Sequence, residues 1–156
     1  MSNEAPRPVQ TIGELMDLAN LSDMTVYELS GQRLEPADDD PPVEVPSGNE
    51  PGDAPMQVFV RHDPERIQVR VRIEAQSPEA LFVADIAAEF HLSAPVSAPE
   101  EVLREFVERV GVMAAYPYLR ESLHSTAARM RLTPPLLQLL KANRVRMVQD
   151  EAPSTT

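Results

Sequence analysis

Three histidines, at positions 62, 91 and 124, are the only imidazole side chains in this chain of 156 residues, and it has no cysteine. His62 and His91 fall in predicted strands with no second metal ligand at a suitable spacing. His124 lies between Ser122 and Ser125, but residues one or two positions apart on a helix do not face each other, so they form no nucleophile–base pair. The absence of cysteine excludes thiolate metal sites and cysteine nucleophiles. The sequence therefore predicts a protein that is not an enzyme.

The acidic clusters have simpler explanations than a metal or cofactor site. The run Asp38–Asp40 lacks the glycine and the closing glutamate of a calcium-binding loop, so a solvated charge run is the better interpretation. Glu100 and Glu101 fall in the first turn of a predicted helix, where carboxylates stabilise the helix dipole. The sequence also contains no glycine-rich phosphate-binding loop. We predict no metal and no cofactor.

Composition limits the class of protein and its partners. The net charge of −11 argues against nucleic acid or an anionic membrane as the main partner. Hydrophobic residues make up 42% of the chain and aromatic residues 4%, so the core must be aliphatic. The first ten residues have no apolar signal core, and no apolar run approaches membrane-spanning length. These features predict a cytoplasmic protein with no membrane insertion.

Four segments have the composition and alternation of strands. The clearest is 67–75, in which apolar and polar residues alternate strictly, as in a strand with one buried face. The others are 24–34, 57–62 and 81–92, and short turns join the last three strands into an antiparallel meander. In the strand 81–92, we predict that Val83 and Asp85 lie on the outward face, so that Asp85→Lys would leave folding intact.

The stretch 99–131 is the longest helix-forming run. Pro117 predicts its division into two helical pieces, because a proline inside a helix removes a hydrogen bond. Leu119, Leu123, Ala127 and Met130 share one face of the second piece. A shorter, leucine-rich helix is predicted after Pro135. The fold class is α+β: a four-stranded antiparallel sheet with a long and a short helix packed on one face.

Domain boundaries follow from shifts in composition. Residues 1–10 and 149–156 are predicted to be disordered tails, and 11–148 a single domain. Within the domain, residues 35–55 are rich in proline, aspartate, glutamate and glycine. Such a segment buries too little apolar surface to offset its chain entropy, so we predict a flexible acidic insertion there.

One motif resembles a known family. The run Tyr116-Pro117-Tyr118-Leu119-Arg120-Glu121 resembles the start of the long helix in SecB, the protein-export chaperone. The last predicted strand and the Pro134–Pro135 step also look like that family, and the likeness extends over roughly 24–145. The nearest resemblance is to the SecB-like chaperones of actinobacteria, some of which work beside toxin–antitoxin pairs. It implies a homotetramer that holds unfolded or precursor proteins in apolar grooves, without ATP, for protein export.

The resemblance also implies three sets of site residues. The client-binding groove would use Met56, Val58, Val60, Leu132, Leu136, Leu137 and Leu140. Docking of the motor protein SecA would use Val83 and Asp85. Oligomer or helix packing would use Tyr116, Tyr118, Leu119, Leu123 and Met130.

Three functions stay open. A general holdase is the leading interpretation, and the same apolar residues could equally be ordinary core. A dedicated chaperone for one client, such as an antitoxin, also fits the resemblance. A non-chaperone oligomeric adaptor would keep the fold and bind a folded partner instead. Candidate partners are therefore unfolded or precursor clients, SecA or an antitoxin.

Overall fold

The computed structural model describes residues 4–35, 56–135 and 137 of the chain. Its helical elements are α1 (Ile12–Leu18), α2 (Glu100–Phe106), a π-helical turn (Val107–Gly111) and α3 (Val112–Arg129). Its strands are β1 (Arg7–Pro8), β2 (Ala19–Arg33), β3 (Met56–Asp63), β4 (Arg66–Gln76), β5 (Ala80–Leu92) and β6 (Val96–Ser97).

The main sheet has four strands in the order β2-β5-β4-β3, and all neighbours are antiparallel. This confirms the predicted α+β class and the meander of β3, β4 and β5. Strand β2 begins five residues before the predicted segment, at Ala19. Arg33 and Met56 lie on opposite edges at the same end of the sheet, since Arg33 pairs with Ala80 and Met56 with Ile73. The connection between them therefore joins the two edges.

One face of the sheet is covered by the long helix formed by α2, the π-helical turn and α3. Directly paired residues share a face, so Val69 of β4 lies beside Ala88 of β5 beneath this helix. The alternating apolar residues of β4 and β5 on this face are buried. Phe90 and Phe106 join the two layers edge to face, with ring centroids 5.1 Å apart.

Pro117 does not divide the helix, and the prediction of two separate pieces is wrong. The chain is helical without a break from Glu100 to Arg129, and Pro117 lies inside α3. The buried stripe that includes Leu119 and Leu123 holds the helix on the sheet, and this packing outweighs the single hydrogen bond that proline removes. The deviation from regular helix is the π-helical turn, which ends at Gly111.

The end of α3 positions the chain that follows it. Arg131 has a positive φ of 58°, and its N–H bonds to the carbonyl of Ala128. The N–H of Leu132 bonds to the carbonyl of Ala127. These two bonds form a Schellman motif, which normally brings an apolar residue at the Leu132 position back against the helix. Leu132 is accordingly buried.

Residues 7–9 are part of the fold, which corrects the prediction of a disordered tail over 1–10. Strand β1 pairs in parallel with β6, and Val9 is fully buried. The N–H groups of Arg7 and Val9 bond to the carbonyls of Pro95 and Ser97. The donors are thus the residues that flank Pro8, so a proline at that position costs the pairing nothing.

Candidate binding surfaces

The predicted groove residues of β3 lie on the side of the sheet that carries the helices. Met56, Val58 and Val60 pair with Ile73, Val71 and Val69, whose side chains lie on the helix-covered face. The long helix packs chiefly on β5, β4 and β2 rather than on β3. Val58 is nevertheless fully buried, whereas Met56 and Val60 are half-buried and keep accessible surface.

Two of the predicted groove leucines join the same apolar cluster. Leu132 and Leu137 are buried and belong to the core that contains Val58. Leu136 and Leu140 lie outside the described residues, as does nearly all of the predicted shorter helix. The structure therefore brings three of the seven residues together as core, with Met56 and Val60 beside them. The role of the set as a client groove stays a prediction.

The residues predicted to pack helices or protomers divide into two kinds. Tyr116, Leu119 and Leu123 are buried on this chain's own sheet, and burial raises the pKa of the Tyr116 phenol above its ordinary value. Met130 is half-buried. Tyr118 is 51% exposed, so it is the member of the set with the most surface for another chain.

Strand β2 carries an apolar surface that sequence reasoning missed. Leu21, Val26 and Leu29 pair with Phe90, Ile86 and Ala84, which places all three on the helix-side face of this edge strand. They are 48%, 55% and 45% exposed. Irregularities in the register after Leu21 and after Val26 shift the alternation twice. A strict period of two could therefore not show that these residues share a face.

Asp85 lies on the opposite face of the sheet from the helix, as predicted, but it lacks the accessible surface that the predicted docking role requires. Its relative exposure is 0%. Arg70 reaches it with two hydrogen bonds of 2.7 Å, from Nε to Oδ1 and from Nη2 to Oδ2. Arg72 adds a third contact of 3.3 Å from Nη1 to Oδ2. Long arginine side chains on the neighbouring strand thus close over the shorter carboxylate.

Val83, the second predicted docking residue, is also buried, with a relative exposure of 6%. It pairs with Ser30 of β2 and with Glu74 of β4. Neither predicted docking residue therefore presents a free side chain on the outer face of the described sheet. Binding to SecA stays a prediction of the resemblance alone.

Arg70 and Arg72 connect all four strands across this outer face. The guanidinium carbon of Arg70 lies 4.1 Å from the ring centroid of Tyr27 on β2 and 5.7 Å from that of Phe59 on β3. The hydrogen bond to Asp85 raises the pKa of Arg70.

Arg72 makes further ion pairs with two exposed carboxylates. These are Glu28 of β2 and Glu74 of its own strand, the latter at 3.1 Å. The hydrogen bond to Glu28, followed by that to Glu74, raises the pKa of Arg72. Together with Asp85, these contacts neutralise much of the charge at the centre of the face. The arrangement is an interlocked ionic network with no side chain free for acid–base chemistry.

The other features that could carry chemistry are sparse in the described part of the chain. His62 and His91 are exposed at the ends of β3 and β5, and His124 is exposed on α3. Across residues 4–35, 56–135 and 137, no group of three or more histidine and acidic side chains could hold a metal ion. No helix in these ranges is both long enough and apolar enough to cross a membrane.

A four-stranded antiparallel sheet under one long helix is the fold of the SecB-like chaperones. The Mycobacterium tuberculosis Rv1957 SecB-like chaperone, solved in complex with a ChAD peptide from the Rv1956 HigA1 antitoxin, has this fold. Its TM-score to this chain is 0.61 at 20% identity, covering 83% of this chain and 92% of that one.

Sequence comparison shows to which family the chain belongs. The SecB-like chaperone SmegB of Mycolicibacterium smegmatis is 32% identical over 140 residues, which is 90% of this chain and 88% of the relative. No protein-family model matches the chain. The chain belongs to the SecB-like chaperone family, and the resemblance found in its sequence is confirmed.

Proposed function

We propose that this protein is a cytoplasmic holdase that binds unfolded or precursor proteins through apolar surface, without ATP. The main support is the kinship with SecB-like chaperones. The structure adds apolar surface beyond its core, on the half-buried residues Met56 and Val60 of one edge strand. Burial of a client's apolar side chains there would release about 25 cal/mol per Å² of area removed from water. Such contacts are non-directional, so many different client sequences would be accepted.

The test is the aggregation of a chemically denatured protein on dilution, with and without this chain and with no nucleotide present. We expect suppression at a ratio near one oligomer per client. A holdase acts by mass action, because it lowers the concentration of free unfolded chains. A folded sample that leaves aggregation of several unrelated proteins unchanged would contradict a general holdase.

A dedicated chaperone for an antitoxin is a second candidate. Its support is that the Rv1957 neighbour was solved with a peptide from an antitoxin. The same assay separates the two functions when a single antitoxin is compared with unrelated denatured proteins. Protection of the antitoxin alone would favour the dedicated role. Binding of a folded partner, with no denatured chain bound, would favour the adaptor.

We also propose that the chain assembles into a homo-oligomer, a tetramer in the family pattern, through β2. This edge strand has 15 residues, and Val26 and Leu29 on it are about half exposed. An edge strand of this length with exposed apolar residues is a template for pairing with another chain. We expect Val26→Glu with Leu29→Glu to lower the mass measured by light scattering. Met16→Glu is the matched control, because Met16 is similarly exposed and lies on α1.

A further inference from the structure

A cavity of about 290 Å³, open on one side, lies at the end of the sheet remote from Leu132. Its floor is apolar and includes Leu15 of α1, Ile67 of β4 and Leu92 of β5, all of which are buried. Leu103 of α2 closes one side. The predicted groove residues Leu132 and Leu137 do not line it. The cavity is therefore separate from the groove that the family resemblance implies.

The size and lining of the cavity limit what it can bind. The cavity opens to solvent, so it is a surface pocket that a ligand can enter. It is slightly smaller than pockets for drug-sized ligands, which begin at about 300 Å³. Water held against apolar walls is poorly ordered, and an apolar group that displaces it gains affinity. One large apolar or aromatic side chain fits these conditions.

Charge further restricts the ligand. Among the described residues, the lining contains no lysine or arginine, and His62 is its one basic side chain, so it offers no permanent cation to a phosphate or a carboxylate. The one acidic side chain that the described residues contribute is Asp63, whose Oδ1 atom already accepts hydrogen bonds from the backbone N–H groups of Glu65 and Arg66. The cavity therefore suits an uncharged group.

The cavity lies where an extended peptide could pair with the sheet. His62 and Asp63, which form one wall, are the last residues of β3, an edge strand of the described sheet. Peptides that add a strand to a sheet edge place alternate side chains in pockets beside that edge. His62 continues the helix-side row that begins with Met56, Val58 and Val60, because alternate residues of a strand share a face.

We propose that this cavity is a second anchoring site for clients, which takes one bulky apolar side chain of an uncharged segment extended along β3. The inference rests on the proposed holdase function and extends the client contact to the far end of the strand. A client held at both ends of β3 would gain from the linked contacts, because the second contact becomes intramolecular.

The test is a substitution that fills the cavity with a larger side chain. Ala98, which lines it, is half-buried, and Ala98→Phe places a ring in the space. Ala94→Phe is the matched control, because Ala94 is also half-buried but does not line the cavity. The probe is an uncharged peptide with a single central tryptophan. The chain itself has no tryptophan, so the emission reports on the peptide alone.

We expect Ala98→Phe to weaken binding of the tryptophan peptide roughly tenfold or more, the value of one buried apolar side chain. Ala94→Phe should stay within about twofold of the original chain. Equal binding by both variants would overturn the inference while leaving the holdase function intact. If the original chain neither binds the peptide nor suppresses aggregation, the proposed function fails first.

Photocrosslinking gives an independent readout if Ala98→Phe does not fold. The chain has no cysteine, so Ser97→Cys supplies a unique site for a benzophenone label at the cavity wall. Ser93→Cys is the control, because Ser93 is exposed and lies outside the lining. Crosslinks to the peptide from position 97 and not from 93 support the inference. Crosslinks between two copies of the chain, unchanged by peptide, would show that a second copy occupies the cavity and would overturn it.

Discussion

Removal of the Asp85 carboxylate should destabilise the protein far more than removal of a carboxylate that is exposed on the same face. Asp85→Ala leaves the guanidinium groups of Arg70 and Arg72 without the acceptor for three hydrogen bonds. Breaking a buried ion pair from one side costs about 3–5 kcal/mol. The two arginine side chains are 34% and 24% exposed, so water can partly solvate them again. We therefore expect a loss of about 2–3 kcal/mol in the free energy of unfolding.

The control is Glu74→Ala, because Glu74 contacts the same arginine but its side chain is 55% exposed. Its loss should cost no more than about 0.5–1 kcal/mol, as for other surface ion pairs. The assay is urea unfolding at a fixed protein concentration, followed by circular dichroism, with the midpoint compared at unchanged slope. Equal midpoints for the two variants would refute the argument that burial makes the Asp85 contacts the stronger ones.

The same reasoning reverses the sequence-based expectation for Asp85→Lys. A lysine at this position would place a third positive charge beside Arg70 and Arg72, and Glu28, the carboxylate that lies opposite it on β2, already pairs with Arg72. We expect this variant to unfold at a lower urea concentration than Asp85→Ala. A variant as stable as the original chain would show that the outer face is open to solvent at this position, contrary to the structure.

The remaining predictions concern single backbone positions and one phenol. Gly111→Ala should destabilise the fold by about 1–3 kcal/mol, because its Cβ would clash with the side chain of Val69. Gly13→Ala, which meets no atom closer than 3.9 Å, should be neutral or stabilising in the same urea assay. Arg131→Gly should raise stability by about 0.5–1 kcal/mol, because glycine adopts the positive φ without strain. The raised pKa of Tyr116 favours the folded state fully below the unfolded tyrosine pKa near 10, and this contribution is lost as pH rises through the folded value. Between pH 9 and 11, Tyr116→Phe should therefore lose less stability than the original chain, and its absorbance titration should lack a phenol that ionises above the ordinary tyrosine range.

The sheet was predictable because its central strands alternate. In β4, every second residue from Ile67 to Ala75 lies on the helix side of the sheet, and each of these residues is buried. The family followed from one local motif around Pro117. The exposure of Asp85 was not predictable, because alternation assigns a residue to a face and says nothing of what covers that face. Asp85 is covered by arginines on the neighbouring strand. The register that places Arg72 opposite Asp85 is set by strand pairing and cannot be deduced from either strand alone.

Two other errors also arose from contacts that are distant in sequence. The regular structure of residues 7–9 depends on pairing with a strand almost ninety residues later, since the N–H of Val9 bonds to the carbonyl of Ser97. A proline-rich terminus gives no local sign of such a partner. The continuity of the helix through Pro117 depends on the sheet beneath it, because the buried face fixes both sides of the proline. Helix propensity, which is a local property of the sequence, includes the cost of the proline but not the packing that outweighs it.

The two edges of the sheet differ in a way that suits one protein with two kinds of partner. On β2 the half-exposed apolar residues are Leu21, Val26 and Leu29, a row on the helix side that another copy of the strand would extend. On β3 the row from Met56 ends at a largely apolar cavity whose described lining has no lysine or arginine. The ionic network on the outer face ties both edge strands to the centre, since Arg70 contacts Tyr27 on one and Phe59 on the other. These contacts couple the two edge strands, so the proposed assembly at β2 and the proposed client binding at β3 would act on one connected sheet.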